Sequence, residues 1–128
     1  MSLANLTSAD IDFGKRIAAR LRESGFGVKA VLWLYDDTAD DWRLVIATDA
    51  VDRLGPRRTY LELLRLIPDV SGSAFQRMRI EVVSPNTPLL EALRSVFGAT
   101  KSLEGARLQD TVVNGIRVPQ AYLYEVRQ

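Results

Sequence analysis

The sequence predicts a single α+β domain with one mixed β-sheet of about five strands and three helices, in the order α-β-β-α-β-α-β-β. Two observations predict this class. Apolar runs at residues 28–35 and 42–48 flank a short turn with four aspartates, which is typical of a β-hairpin. Segments with helical spacing then alternate with segments of strand character. We expect residues 1–128 to form one domain, with residues 1–6 flexible or left over from cloning.

The composition is that of one globular domain. The chain has 128 residues, of which 47% are hydrophobic and 26% charged, with a formal net charge of +1. A charge so close to neutral disfavours nucleic acid as a partner, because nucleic-acid domains present a concentrated basic face. No apolar run approaches the roughly 20 residues that cross a bilayer, so no membrane partner is expected. The lack of cysteine permits a reducing compartment, and we expect a cytoplasmic protein.

The hairpin fixes which side chains share a face of the sheet. Symmetric closure of the six-residue turn pairs Tyr35 with Trp42, Trp33 with Leu44 and Val31 with Ile46. The opposite face then carries Ala30, Leu32, Leu34, Arg43, Val45 and Ala47. Both faces are largely apolar, whereas a sheet wetted on one side alternates apolar with polar residues. The hairpin is therefore predicted to lie in the middle of a sheet that helices or a second subunit cover on both faces.

The first helix is predicted to begin after Thr7, which forms a capping box with Asp10, and to end at Gly25. Its buried stripe is predicted to contain Ile11, Ile17, Ala18 and Leu21, with Phe13 at the margin. The outer face carries four cations, Lys15, Arg16, Arg20 and Arg22. A solvated helix face explains them best, and phosphate contact with a nucleic acid is the weaker alternative.

Prolines and glycines mark the remaining elements. Pro56 is predicted to open a second helix that Pro68 ends, and a flexible connection at 69–76 leads to a third strand at 78–83. A third helix is predicted to start at Thr87, its N-cap, with Pro88 in first position. The Asn114-Gly115 pair predicts a closing hairpin. Pro119 predicts a bulge or an edge position in the last strand.

The residue types that are missing limit the possible chemistry. Without histidine and cysteine, the chain can form neither a Ser-His-Asp triad nor a thiolate nucleophile, nor the usual zinc sites. Carboxylate, lysine or hydroxyl chemistry and anion binding remain possible. The turn aspartates Asp36, Asp37, Asp40 and Asp41 do not have the spacing of a calcium loop, and we interpret them as residues that cap their own turn. We therefore expect no cofactor and no metal.

One local conflict points to a candidate ligand site. Arg57 and Arg58 occupy the first turn of the second helix, where cations are disfavoured by the helix dipole. Pairing with Asp49 and Asp52, just upstream, is the simpler explanation; a phosphate or carboxylate ligand is the other. A parallel crossover would bring Asn86 and Thr87 to the same edge of the sheet, where open α/β sheets bind ligands.

The aromatic residues Trp33, Tyr35 and Trp42 allow two interpretations. They are core residues if a helix covers their face. If three helices fail to cover two faces, these aromatics form a protein interface, most simply in a symmetric homodimer.

Several segments together resemble a group of small bacterial proteins of unassigned function. The segments are residues 42–48, 51–52, 55–56, 83–86, 113–115 and 121–124. The resemblance implies a bacterial, stand-alone α+β domain, and it implies no activity.

These observations favour a non-catalytic binding or protein-interaction module, homodimeric or bound to another protein. The alternative is a small anion or phosphate-ligand binder, or a carboxylate-dependent enzyme. Its site would lie at the sheet edge formed by residues 49–58 and 84–87.

Overall fold

The structure, a computed structural model, describes residues 6–67, 79–99 and 105–128. The elements in these residues are α1 (Ser8–Ser24), β1 (Val28–Asp36), β2 (Asp41–Thr48), α2 (Ala50–Leu54), α3 (Pro56–Leu66), β3 (Ile80–Val83), α4 (Pro88–Phe97), β4 (Ala106–Val113) and β5 (Ile116–Val126). The strands form one sheet in the order β3-β2-β1-β5-β4. Only the β2–β3 pair is parallel, so the sheet is mixed and the α+β prediction is confirmed.

The described residues contain four helices, and three were predicted. The additional helix is α2, in a stretch for which neither a helix nor a strand was predicted. Asp49 already has helical backbone angles, φ −58° and ψ −22°, so the chain turns into a helix directly after β2. Gly55 then adopts φ 84°, which ends α2 before Pro56 opens α3. A helix of five residues is too short for apolar periodicity to reveal it.

The β1–β2 hairpin has the predicted register, with Tyr35 opposite Trp42 and Trp33 opposite Leu44. β1 lies between β2 and β5, and β2 lies between β1 and β3, so both strands are interior to the sheet. The hairpin is thus central, as its two apolar faces require.

Helices α1 and α3 cover the first face of the sheet. Trp33, Leu44 and Ile46 are completely buried there against side chains of both helices. Phe13 is also completely buried, whereas Ile11 is only half-buried, so the prediction that placed Phe13 at the margin of the stripe is wrong. The buried face of α1 is centred closer to Phe13 than was predicted. The prediction missed this because alanine, glycine and charged residues on α1 define the centre of its apolar face poorly.

In the part of the chain that the structure describes, one helix, α4, covers the second face. Ala30, Leu32, Val45 and Ala47 are buried against Leu90, Ala92 and Leu93 of α4 and against residues of β5. Leu34 and Arg43, nearest the hairpin turn, are only half-buried. A ten-residue helix spans about 15 Å, which is shorter than the strands beneath it. Among the described residues, the second face is therefore covered at one end and open at the other.

β5 contains two irregularities. One extra residue, Tyr124, lies between the pairs Val31–Glu125 and Leu32–Leu123, and this bulge turns Tyr124 into the core of the first face. Pro119 lies beyond the last β1–β5 pair and is flanked by β4 alone, which is locally the predicted edge position. The register with β4 continues unchanged past it.

The ends of the other elements follow the predicted signals. Thr7 and Asp10 form the capping box, and Gly25 ends α1 with φ 69°. Asn114 and Gly115 form the two-residue turn between β4 and β5, both with positive φ. The predictions for residues 68–78 and 1–5 lie outside the described residues. Leu6 packs against the core. Within the described ranges, no helix is long and apolar enough to cross a membrane.

Gly14 allows α1 to approach the sheet closely. A Cβ atom at this position would lie 2.6 Å from Cε2 and 2.7 Å from Cζ of Tyr124. We predict that Gly14→Ala lowers the free energy of unfolding by about 1–3 kcal/mol, because overpacking outweighs the gain in helix propensity. Denaturant unfolding measures the change. Ala19→Gly, in the same helix, reports propensity alone; a Gly14→Ala variant more stable than the parent would contradict the close contact.

Candidate functional site

The predicted sheet edge is a topological switch point. After β2 the chain passes to the first face, where Leu63 of α3 is completely buried. After β3 it passes to the second face, where Leu93 of α4 is completely buried. Two neighbouring parallel strands whose connections leave on opposite faces open a crevice beyond their carboxyl ends, and open α/β sheets bind ligands in such a crevice.

The structure brings part of the predicted site together in this crevice. Nδ2 of Asn86 donates a hydrogen bond of 3.1 Å to Oδ2 of Asp52, which joins the segment after β3 to the segment after β2. Thr87 is the N-cap of α4, as predicted, but its side chain makes no capping hydrogen bond. Asp49 is exposed at the start of α2. These residues lie at the same edge of the sheet, and their role as a ligand site stays a prediction.

The simpler explanation for Arg57 and Arg58, pairing with the aspartates just upstream, does not hold. Both are exposed in the first turn of α3, which contains no acidic residue. Among the described residues neither forms an ion pair with Asp49 or Asp52, so the predicted internal pairing is wrong. The carboxylate of Asp52 interacts with Asn86 instead, and water solvates the two exposed guanidinium groups, which have no ion-pair partner among the described residues.

A second candidate site lies at the open end of the second sheet face. It is a groove of about 260 Å³. Its apolar contacts come from Leu34, Tyr35, Leu89 and Pro119, and its charged ones from Asp36, Asp37, Arg43, Glu81 and Arg117. The groove exists because α4 ends its cover before the hairpin turn and because β1 and β5 stop pairing at Leu34–Ala121. Sequence reasoning missed it, since the length of cover that α4 provides depends on tertiary packing.

Three of the charged groups in the groove are already engaged. Arg117 forms ion pairs with Asp110 at 2.9 Å and Asp37 at 3.3 Å, and these two carboxylates raise its pKa. Asp36 Oδ1 accepts hydrogen bonds from the backbone N–H groups of Thr38 and Ala39. These contacts close the gap between the two hairpin turns and hold the end wall of the groove in place.

The remaining two charged groups are not engaged. Arg43 is half-buried in the floor of the groove, and Glu81 is exposed at its rim. Within the described part of the chain, neither side chain forms an ion pair or a side-chain hydrogen bond. The parallel register pairs Glu81 with Val45, so Glu81 lies diagonally across from Arg43 on the same face.

The aspartate-rich turn binds its own surroundings. Tyr35 donates its hydroxyl hydrogen to Asp40, and this hydrogen bond raises the pKa of Tyr35 to about 12. Asp41 accepts a hydrogen bond from its neighbour, the N–H of Trp42. In residues 6–67, 79–99 and 105–128, no group of three or more acidic side chains has the geometry of a metal site.

A buried polar network joins α1 to the sheet. The carboxylate of Asp10 and the guanidinium of Arg79 lie 3.2 Å apart, and each side chain is only 8% exposed. Arg79 also lies 4.8 Å over the ring of Trp33 and donates from Nε to the carbonyl oxygen of Trp42. Trp33 Nε1 donates to Tyr124 Oη and to the carbonyl oxygen of Asp10, both at 3.1 Å.

Tyr124 completes this network. Its hydroxyl donates to the carbonyl oxygen of Ile11 at 2.6 Å, and burial raises its pKa. No buried side-chain nitrogen or oxygen atom of this network is left without a hydrogen-bond partner. The network has a structural role, because its members lie under α1. The sequence signal that could have revealed it is the arginine that immediately precedes the apolar strand β3.

The aromatic interface is a prediction that the structure corrects. Trp33, Tyr35 and Trp42 are 0%, 3% and 5% exposed in a single chain. Helix α1 covers this face and the polar network satisfies the indole N–H of Trp33, so the core interpretation applies and these residues present no surface to a partner. A homodimer stays a prediction without an assigned surface.

The basic face of α1 is partly neutralised. Arg16 forms an ion pair with Asp12 at 3.0 Å, and Arg22 forms one with Glu125 at 3.0 Å. The bulge at Tyr124 places Glu125 where Arg22 can reach it. These contacts support the interpretation of a solvated helix face.

Comparison with protein-family models, curated proteins and solved structures finds no match to this chain. The resemblance to small bacterial proteins therefore stays a prediction, and the function is argued from the crevice and the groove themselves.

The buried ion pair yields a stability prediction. Asp10→Ala is expected to lower the free energy of unfolding by about 3–5 kcal/mol, because it leaves the Arg79 charge buried without its carboxylate. The double variant Asp10→Ala/Arg79→Met should lose less than the sum of the two single variants. Chemical denaturation of the four proteins measures the coupling. Additive losses would show that the two side chains do not interact.

Proposed function

We propose that the protein is a non-catalytic binding module and that its binding surface is the groove at the open end of the second sheet face. One observation carries the proposal. Arg43 projects from a central strand into a partly apolar groove and has no charged partner among the described residues. A half-buried guanidinium gains most from a partner of opposite charge, because water screens it incompletely.

The position of Arg43 on the sheet strengthens this argument. Apart from Asp36 and Asp41, which adjoin the hairpin turn, the other residues of this face on β1 and β2 are apolar: Ala30, Leu32, Leu34, Val45 and Ala47. An apolar residue at position 43 would serve as well if the face needed only cover. A charged residue in an apolar surface that stays open is instead typical of a binding site, where a few polar groups fix the orientation of a ligand.

The groove is also largely preformed. Its floor consists of residues from the two interior strands, and the ion pairs of Arg117 hold its end wall. A preformed site binds with less loss of conformational entropy. Its described lining residues include no serine, threonine, lysine or histidine, and the Tyr35 hydroxyl and two of the three carboxylates are already engaged within the protein, which favours binding over catalysis. The proposal assigns the module to a bacterial cytoplasm, for which the cysteine-free sequence is suited.

NMR titration tests the proposed surface. Pooled small polar metabolites and short peptides are added to the isotopically labelled protein, and we expect at least one pool to shift the amide signals of Leu34, Arg43 and Glu81. Leu34→Trp fills the groove and should weaken that binding at least tenfold. Leu61→Trp, at a side chain on α3 that is 52% exposed, is the matched control and should bind as the parent does. Shifts that Leu34→Trp leaves unchanged would refute the groove as the binding surface.

The crevice supports a second candidate function, anion binding. The Asp52–Asn86 hydrogen bond shows that its two segments meet, and Arg57 and Arg58 at the adjacent start of α3 lack ion pairs among the described residues. A phosphate or carboxylate group there would accept charge-assisted hydrogen bonds from the two guanidinium groups.

Titration with inorganic phosphate at constant ionic strength tests this second function. The variant Arg57→Ala/Arg58→Ala should bind phosphate at least about tenfold more weakly than the parent, since each lost hydrogen bond to a charged group contributes about 1.5–3 kcal/mol. Arg53→Ala/Arg65→Ala removes the same charge from exposed positions nearby and is the control. Equal weakening in both variants would indicate nonspecific attraction and would dispose of the site.

A further inference from the structure

We propose that the ligand of the groove is a small zwitterion of the α-amino acid class with an apolar side chain. Arg43 would bind the carboxylate, Glu81 the ammonium group, and Leu34, Leu89 and Pro119 the side chain. This inference rests on the proposed function of the groove and specifies its ligand.

Charge complementarity is the first argument. Five charged side chains line the groove, and the contacts of Asp36, Asp37 and Arg117 within the hairpin turns account for three of them. One cation, Arg43, and one anion, Glu81, remain. A ligand with a single charge would engage one and leave the other facing it without a partner. A zwitterion engages both.

The spacing of the two groups is the second argument. Diagonal neighbours on adjacent strands lie within reach of each other's long side chains. Arg43 and Glu81 are diagonal neighbours on β2 and β3, and their charged atoms do not come within ion-pair distance of each other. A separation wider than an ion pair leaves room for a ligand that contacts both side chains. An α-amino acid holds its carboxylate and its ammonium group on one carbon, so each can form a charge-assisted hydrogen bond with one of the two side chains.

The size and walls of the groove are the third argument. Its volume of about 260 Å³ is below the usual range for drug-sized ligands and suits one amino acid. Leu34 and Leu89 are half-buried, and with Pro119 they offer an apolar wall beside the two charges. These walls favour an aliphatic side chain over a charged one.

The experiment compares three probes of similar shape. L-Leucine carries both charges, isopentylamine lacks the carboxylate, and 4-methylpentanoate lacks the ammonium group. Titration of the labelled protein should give the tightest binding for leucine, at least about fivefold tighter than for either analogue. Arg43→Gln should abolish the preference for leucine over isopentylamine. Glu81→Gln should abolish the preference for leucine over 4-methylpentanoate.

Matched variants control for charge alone. Arg65→Gln and Glu23→Gln change exposed residues of α3 and α1 on the first face, and both should keep the full preference for leucine. Equal weakening of all three probes by Arg43→Gln and Glu81→Gln would overturn the inference, because each charge must act on one group of the ligand.

The remaining outcomes separate this inference from the proposed function. Groove shifts with 4-methylpentanoate or with a peptide, sensitive to Leu34→Trp but without a preference for leucine, would overturn the zwitterion and leave the groove as the binding surface. No groove shift with any probe, metabolite or peptide would overturn both.

Discussion

The structure depends on a hairpin that is apolar on both faces. Trp33 and Leu44 on one face and Leu32 and Val45 on the other all lie in the two interior strands, and each needs to be removed from water. The chain meets this need by sending its helices to opposite faces after consecutive strands. The crevice at the ends of β2 and β3 is a consequence of that division, because the chain leaves the two parallel strands in opposite directions.

The two faces are covered by different means. On the first face, α1 and α3 bury the aromatic side chains completely, so the polar atoms beneath them need partners inside the protein; Asp10, Arg79 and Tyr124 supply these partners. On the second face, one short helix among the described residues leaves the end near the turn open, and there a charged residue, Arg43, replaces an apolar one. The polar groups that stabilise the fold are thus buried on one face, and the polar group that is a candidate for ligand binding is accessible on the other.

The sequence predicts the local features of this fold well and its long-range contacts poorly. The register of the hairpin, the capping box of Thr7 and the start of α4 at Pro88 all depend on residues close in the chain, and these predictions are confirmed. The placement of Asn86 beside Asp52 was also predictable, because parallel strands end at the same edge. Which carboxylate an arginine meets was not predictable, since Arg79 and Asp10 come together only through the packing of α1 on the sheet. The groove went unseen for the same reason: the apolar pattern of a helix shows which face it buries but not how far its cover extends.

Amide hydrogen exchange followed by NMR tests the central position of the hairpin most directly. The account predicts that Leu32, Trp33, Val45 and Ile46, in strands flanked and covered on both sides, exchange only through global unfolding, with the largest protection in the chain. Edge-strand amides of β4 should exchange many times faster. Exchange of the β1 and β2 amides at the rate of β4, through local opening, would contradict the claim that the whole domain is built around this hairpin.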